Sequence, residues 1–251
     1  MGALELPLLA LAAFLAGAVN ALAGGGSLLS FPALIAAGLT PLAANVTNAV
    51  ALWPGYAGSV LGFRPELDGQ AARLRGFVAD AVVGAAAGSF LLLALPAEAF
   101  DLVVPALVLL ATALLALQPR LARRLRDQGA GAARGHTVAL HASVVAAATY
   151  GAYFGGGLGV VLLAVLGLFV ADTLTRLNAT KSVLSLLINT VALVAFALFG
   201  PVDWGAVAVM APASILGGVS GARLARVLPP ERLRVAVVVV GTLVGVALLV
   251  A

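Results

Sequence analysis

Two short polar constellations interrupt an otherwise apolar sequence, and they share one pattern. Gly24-Gly25-Gly26 precedes Asn45-Val46-Thr47-Asn48, and Gly155-Gly156-Gly157 precedes Asn178-Ala179-Thr180-Lys181. Each triple glycine lets the chain turn sharply at little steric cost. Asn45 and Asn178 stand where a helix would begin, so both are expected to be N-caps. The free N–H groups and positive dipole end of such a helix suit an anion. Thr47, Asn48 and Thr180 add hydroxyl and amide donors, and Lys181, the sole lysine, adds a positive charge. The chemistry these residues point to is capture of an anion by donors, with no fixed acid among them. Two plainer readings stand beside it. The asparagines could simply cap helices at the lipid headgroups, since N–H groups in a membrane need partners regardless of function. Lys181 could snorkel to the membrane surface.

Other polar residues gather around the same breaks. Asn20 lies one turn before Gly24, and Tyr150 and Tyr153 hold the matching place before Gly155. Asn20 and Tyr153 join the candidate site. Asn20 and Asn189 also have the ordinary fate of an intramembrane amide, a hydrogen bond to a neighbouring helix. Asp80 falls just inside an apolar run and is expected to pair with Arg73 or Arg75, a proton-coupling role being the alternative. His141 is expected near the membrane interface.

The elements that must position these residues are apolar helices. Sixty-three per cent of the 251 residues are hydrophobic and 10% are charged, against about 25% charged in a soluble domain. Ten apolar segments can be marked: 6–23, 27–38, 45–63, 77–95 and 102–117, then 137–154, 158–171, 178–199, 204–222 and 233–250. Only helix satisfies the backbone of such segments in lipid. The segments after the glycine triplets are too short for a full span and read as re-entrant or partial. Trp53-Pro54-Gly55 predicts a kink, and Trp204 is placed as an interfacial belt residue.

The segments form a duplication. The glycine triplets match at an offset of 131, and Asn45 and Thr47 match Asn178 and Thr180 at 133. Gly84 and Gly88 match Gly217 and Gly221 at that same offset, as Pro96 and Glu98 match Pro229 and Glu231. Arginines cluster around residues 64–75, 120–134 and 223–234, which places those connections in the cytoplasm and both termini outside. Five segments per repeat is an odd number, so the two repeats are expected to have inverted topology, with a site between them near the midplane. The organisation expected is therefore an all-α polytopic membrane protein. Residues 1–118 form its first repeat, 119–136 a basic cytoplasmic linker, and 137–251 its second repeat.

Several function classes fall away. There is no cysteine, which removes disulfides, thiol redox chemistry and thiolate metal sites. Two histidines do not make a metal site, and no cofactor motif, P-loop, Gly-x-Ser-x-Gly or His-Glu-x-x-His is present. The high pI comes from loop arginines that report topology, so no nucleic-acid partner is expected. The first run follows no basic n-region, so it is read as part of the mature protein.

A family resemblance rests on these motifs. Asn20-Ala21-Leu22-Ala23-Gly24-Gly25-Gly26, Pro32-Ala33-Leu34 and Gly38-Leu39-Thr40-Pro41 resemble the opening of the TauE/SafE sulfite-exporter-like transporters. Asn178-Ala179-Thr180-Lys181, 200–204 and 217–223 resemble the second-half pattern of that family. One departure is Ser27, where the family often carries a fourth glycine. The resemblance implies an exporter of small anions such as sulfite, sulfonates or related organosulfur and carboxylate compounds, in a bacterial-type inner membrane. The expected function is thus a secondary anion transporter working by alternating access, with protons as a candidate coupling ion. An anion channel and a non-transporting accessory subunit are the alternatives.

Overall fold

A computed structural model of the chain describes residues 5–127, 137–225 and 231–250, all in helices and short connections. The first half holds α1 (Glu5–Leu22), α2 (Ser27–Ala36), α3 (Pro41–Gly62), α4 (Ala71–Ala94) and α5 (Ala97–Asp127). The second half holds α6 (Thr137–Tyr153), α7 (Leu158–Phe169), α8 (Leu174–Phe199), α9 (Trp204–Leu224) and α10 (Glu231–Val250). Among the described residues, α1, α4, α5 through Arg120, α8 and α9 are long and apolar enough to cross a membrane. Exposed Phe90, Leu102, Leu198, Phe199 and Leu243 on the outer surface fit contact with lipid. The chain is a multi-pass integral membrane protein.

The two helices after the glycine breaks have 10 and 12 residues. They reach only about 15–18 Å, roughly half of a ~30 Å hydrocarbon core. Several boundaries differ from expectation: α3, α4, α5 and α8 start four to six residues early, at Pro41, Ala71, Ala97 and Leu174, and α5 continues through Asp127. The first part of the basic linker is therefore helical, while 128–136, including Arg134 and His136, lies outside the described residues. The Pro229 turn does too.

The halves interlock. The fourth helix of each packs against the first and third helices of the other, α4 on α6 and α8, α9 on α1 and α3. The third helices, α3 and α8, pack on one another, as do α5 and α10, while α2 meets α10 and α7 meets α5. These contacts between the halves map onto one another when the halves are exchanged.

Glycines make the closest of these contacts. On α4, a Cβ at Gly84 would lie 2.4 Å from Val145 O, and one at Gly88 2.2 Å from Thr149 O. On α9, a Cβ at Gly217 would lie 2.0 Å from Phe14 O, and one at Gly221 2.5 Å from Ala18 O. The glycines that marked the duplication are therefore the seams between the halves, since small residues let helix backbones approach in a membrane. Both seams step by four residues in the same direction on each helix, so α4 runs parallel to α6, and α9 to α1.

Candidate functional site

The site is built around the two glycine breaks. Gly24 has φ +85°, a conformation other L-residues rarely adopt. Its backbone also lies against Gly159 and Val160, where a Cβ would come within 2.5 Å of Gly159 Cα. Gly155 and Gly157 adopt the same left-handed region in the second break. The break between α1 and α2 thereby lies against the start of α7.

Polar side chains brace each break. Asn20 Oδ1 accepts from the Gly26 N–H at 2.8 Å, and its Nδ2 donates to the Tyr56 hydroxyl at 3.3 Å. In the second break the Tyr150 hydroxyl donates to Gly156 O. Asn20 thus serves both the turn and a neighbouring helix. Asn189 donates to Ser185 O in its own helix.

Each third helix then reaches across to the other half's break. Asn45 Nδ2 donates to Tyr153 O, at the end of α6, at 2.9 Å. Lys181 Nζ donates to Asn20 O at 3.0 Å and Ala21 O at 3.2 Å, at the end of α1. These carbonyls have no successor in their helix, and they sit at the negative end of its dipole. Tyr153 thus enters the site through its carbonyl, and its ring packs against Phe100.

Asn45 and Asn178 are not N-caps. Thr40 caps α3, accepting from the Ala43 N–H at 3.4 Å with Pro41 next to it, and Thr173 caps α8, accepting from the Arg176 N–H at 3.4 Å. The caps are exposed, whereas Asn45, Asn178 and Lys181 are buried one to two turns further along. The physical reason is that a threonine hydroxyl at the loop already satisfies the first turn, and proline at the first helical position lacks an N–H to satisfy. The donors therefore come from side chains inside the helices and not from helix ends.

The threonines have a shared task. Thr47 Oγ1 accepts from the Asp203 N–H at 2.9 Å, and Thr180 Oγ1 donates to Gln70 Oε1 at 2.7 Å. Asp203 and Gln70 stand just before α9 and α4, at the repeat offset of 133. Thr47 and Thr180 therefore latch each third helix to the start of the fourth helix of the other half. Sequence reasoning missed Gln70 and Asp203, although their shared offset was a signal.

What remains unsatisfied is the informative part. The amide oxygens of Asn48 and Asn178 are buried and have no hydrogen-bond partner among the described residues. Asn48 is 3% exposed and Asn178 8%. A buried amide without partners costs about 1–3 kcal/mol, and rotation presents either its oxygen or its NH₂ group to a ligand. Lys181 is 1% exposed, so it does not snorkel to the surface. No carboxylate pairs with it among the described residues. An ammonium has three N–H donors, and the two carbonyls use two of them.

The charges at the helix ends are engaged elsewhere. Arg73 and Arg176 both hold Asp172, at 2.7 and 3.1 Å. Burial raises the Asp172 pKa, but the hydrogen bonds from Arg73, the Thr173 N–H and Arg176, with the Arg73 charge, outweigh it and hold it below the usual carboxylate range. Asp80 pairs not with an arginine but with His141, Oδ2 against Nδ1. The α4–α6 register brings those two together, and Arg73 is drawn away to Asp172.

Broken, half-length helices around a buried lysine, within interlocked helical halves, define a polytopic protein of the membrane-transporter class. Residues 9–248 match the sequence model of the family described as Sulfite exporter TauE/SafE, and the chain belongs to that family. It is 27% identical over 240 residues to the Probable membrane transporter protein YfcA of Escherichia coli K12, covering 94% of this chain and 87% of that one. It is 28% identical over 216 residues to a Probable membrane transporter protein of Haemophilus influenzae, covering 84% and 81%. No solved structure matches it.

Proposed function

We propose that this membrane transporter exports a small anion of the sulfite, sulfonate or related organosulfur and carboxylate class, as a secondary transporter working by alternating access. The observation that carries the reading is the buried Lys181 ammonium, which has main-chain carbonyls as partners and no carboxylate among the described residues. An uncompensated charge in a low-dielectric interior costs several kcal/mol, and an anion in transit would offset it. Asn48 on α3 and Asn178 on α8 add buried amides whose oxygens have no partner among the described residues, and Asn45 and Thr180 hold those helices to the opposite half. Inverted topology of the two halves would then make one anion site reachable from either side in turn. The exchange-symmetric packing of the helices supports that reading.

The test is flux of radiolabelled sulfite, an alkyl sulfonate and a small carboxylate from proteoliposomes containing the purified chain. Saturable flux with counter-transport of unlabelled anion is the expected result. Flux that rises linearly with concentration and shows no counter-transport would make the protein a channel instead.

A further inference from the structure

The two seams between the halves have the same geometry and different chemistry. In the α4–α6 seam the facing positions are Gly84 with Val145 and Gly88 with Thr149. One step earlier on the same ridge stand Asp80 and His141, which are in contact. In the α9–α1 seam the facing positions are Gly217 with Phe14 and Gly221 with Ala18. The same register sets Ala213 opposite Ala10. Two seams that correspond on exchange of the halves therefore carry an ionisable pair in one and two alanines in the other. Packing does not require the pair, since the other seam closes without one.

We propose that Asp80 and His141 form a proton-binding site whose loading and unloading accompany anion movement, the latter part resting on the transporter reading above. Asp80 is the tenth residue of α4, about 13 Å along the helix from its start; its side chain is 15% exposed and that of His141 37%, so the carboxylate is the more enclosed partner and the imidazole the more accessible. The Phe77 ring covers one side of the imidazole, with centroids 5.8 Å apart. With the Asp80 carboxylate accepting from Nδ1–H, the proton is held on that nitrogen and Nε2 is left to take up or release another. Proton uptake at Nε2 converts an imidazole–carboxylate pair of net charge −1 into a neutral imidazolium–carboxylate pair. The two states thus differ by one unit of net charge beside the α4–α6 seam.

The remaining charged and titratable groups on the helices packed against the pair are accounted for. On α4, Arg73 is held by Asp172 and Arg75 is exposed. On α8, Arg176 is held by Asp172, and Lys181 by the α1 carbonyls. α6 adds Tyr150, bonded to Gly156 O, and Tyr153, while α7 adds none. The Asp80 carboxylate is thus left to His141.

The chain has only two histidines, so His136→Gln leaves one imidazole to observe. The experiment is ¹⁵N NMR of that variant in nanodiscs, with pyranine-reported proton movement during sulfite flux in proteoliposomes. His141 should carry Nδ1–H when neutral and gain a second ring proton reversibly on acidification. Asp80→Asn should abolish the Nδ1–H preference. The double variant Asp80→Ala/His141→Ala copies the other seam, so it should fold with a near-native melting temperature, and the protons moved per sulfite should fall by at least about tenfold. A His141 whose ring never gains a proton that depends on Asp80 overturns the site. So does a double variant that still moves protons with the anion at the native ratio. Absence of sulfite flux in the native chain, with the His141 titration and its Asp80 dependence intact, supports the proton site and refutes the choice of sulfite.

Discussion

Replacing Gly84 with alanine separates the seam from helix propensity within one helix. An ideal Cβ there meets Val145 O at 2.4 Å, Ala148 Cβ at 2.7 Å and Thr149 N at 3.1 Å. Two of those three atoms are backbone and cannot rotate away, so the helices must part by most of an ångström. Such overpacking costs about 1–3 kcal/mol, against about 1 kcal/mol gained by removing a mid-helix glycine. Gly76 lies on the same helix and is exposed, with nothing within 4 Å of an added Cβ. Gly76→Ala should therefore stabilise by up to about 1 kcal/mol, and Gly84→Ala should destabilise by up to about 2 kcal/mol net. Thermal unfolding of both variants in the same detergent gives the comparison, with Gly76→Ala melting above the native chain and Gly84→Ala below it. If Gly84→Ala melts as high as Gly76→Ala, α4 and α6 do not meet backbone to backbone and the seam argument fails.

Three further predictions follow from the site. Asn45→Asp should fold worse than Asn45→Ala, because it loses the donor to Tyr153 O and sets a carboxylate against that carbonyl; comparing yields of monodisperse protein checks the order, which a capping role would reverse. Thr180→Val should cost about 1 kcal/mol by leaving Gln70 Oε1 with one donor fewer, read as a lower melting temperature than Thr180→Ser. Asp172 has its pKa depressed when folded, so its stabilisation is complete above the unfolded carboxylate value of about 3.9 and is lost as pH falls through the lower folded value. The melting-temperature gap between native and Asp172→Asn should accordingly be present at neutral pH and close in strong acid, and a gap that persists there would contradict the assignment.

The segments themselves were legible because unbroken apolar runs leave the backbone no state but helix, and the observed starts at Ser27, Thr137, Leu158 and Trp204 match the reading. The half-length of α2 and α7 was legible too, from the glycines before them and the loops after. The caps were misplaced because the asparagine motif recurs and attracts attention, while the ordinary Thr40-Pro41 signal at the helix start was passed over. The rest was hidden for a different reason. That Gly84 meets Val145, that Thr180 meets Gln70 and that Asp80 meets His141 depends on how the fourth helix of one half lies on the other half. No local pattern carries that register. Lys181 was singled out by being the sole lysine, but its burial against the carbonyls of α1 is a tertiary fact.

The most direct test of the central claim is sulfite flux through the native chain and through Lys181→Gln, reconstituted at equal density with matched melting temperatures. A charge-assisted hydrogen bond contributes about 1.5–3 kcal/mol, so Lys181→Gln should weaken apparent anion affinity by at least about tenfold. Lys181→Arg need not restore it, because a planar guanidinium does not reproduce the two carbonyl bonds of a compact ammonium. Unchanged affinity and rate in a well-folded Lys181→Gln protein would contradict the claim that this buried lysine receives the anion.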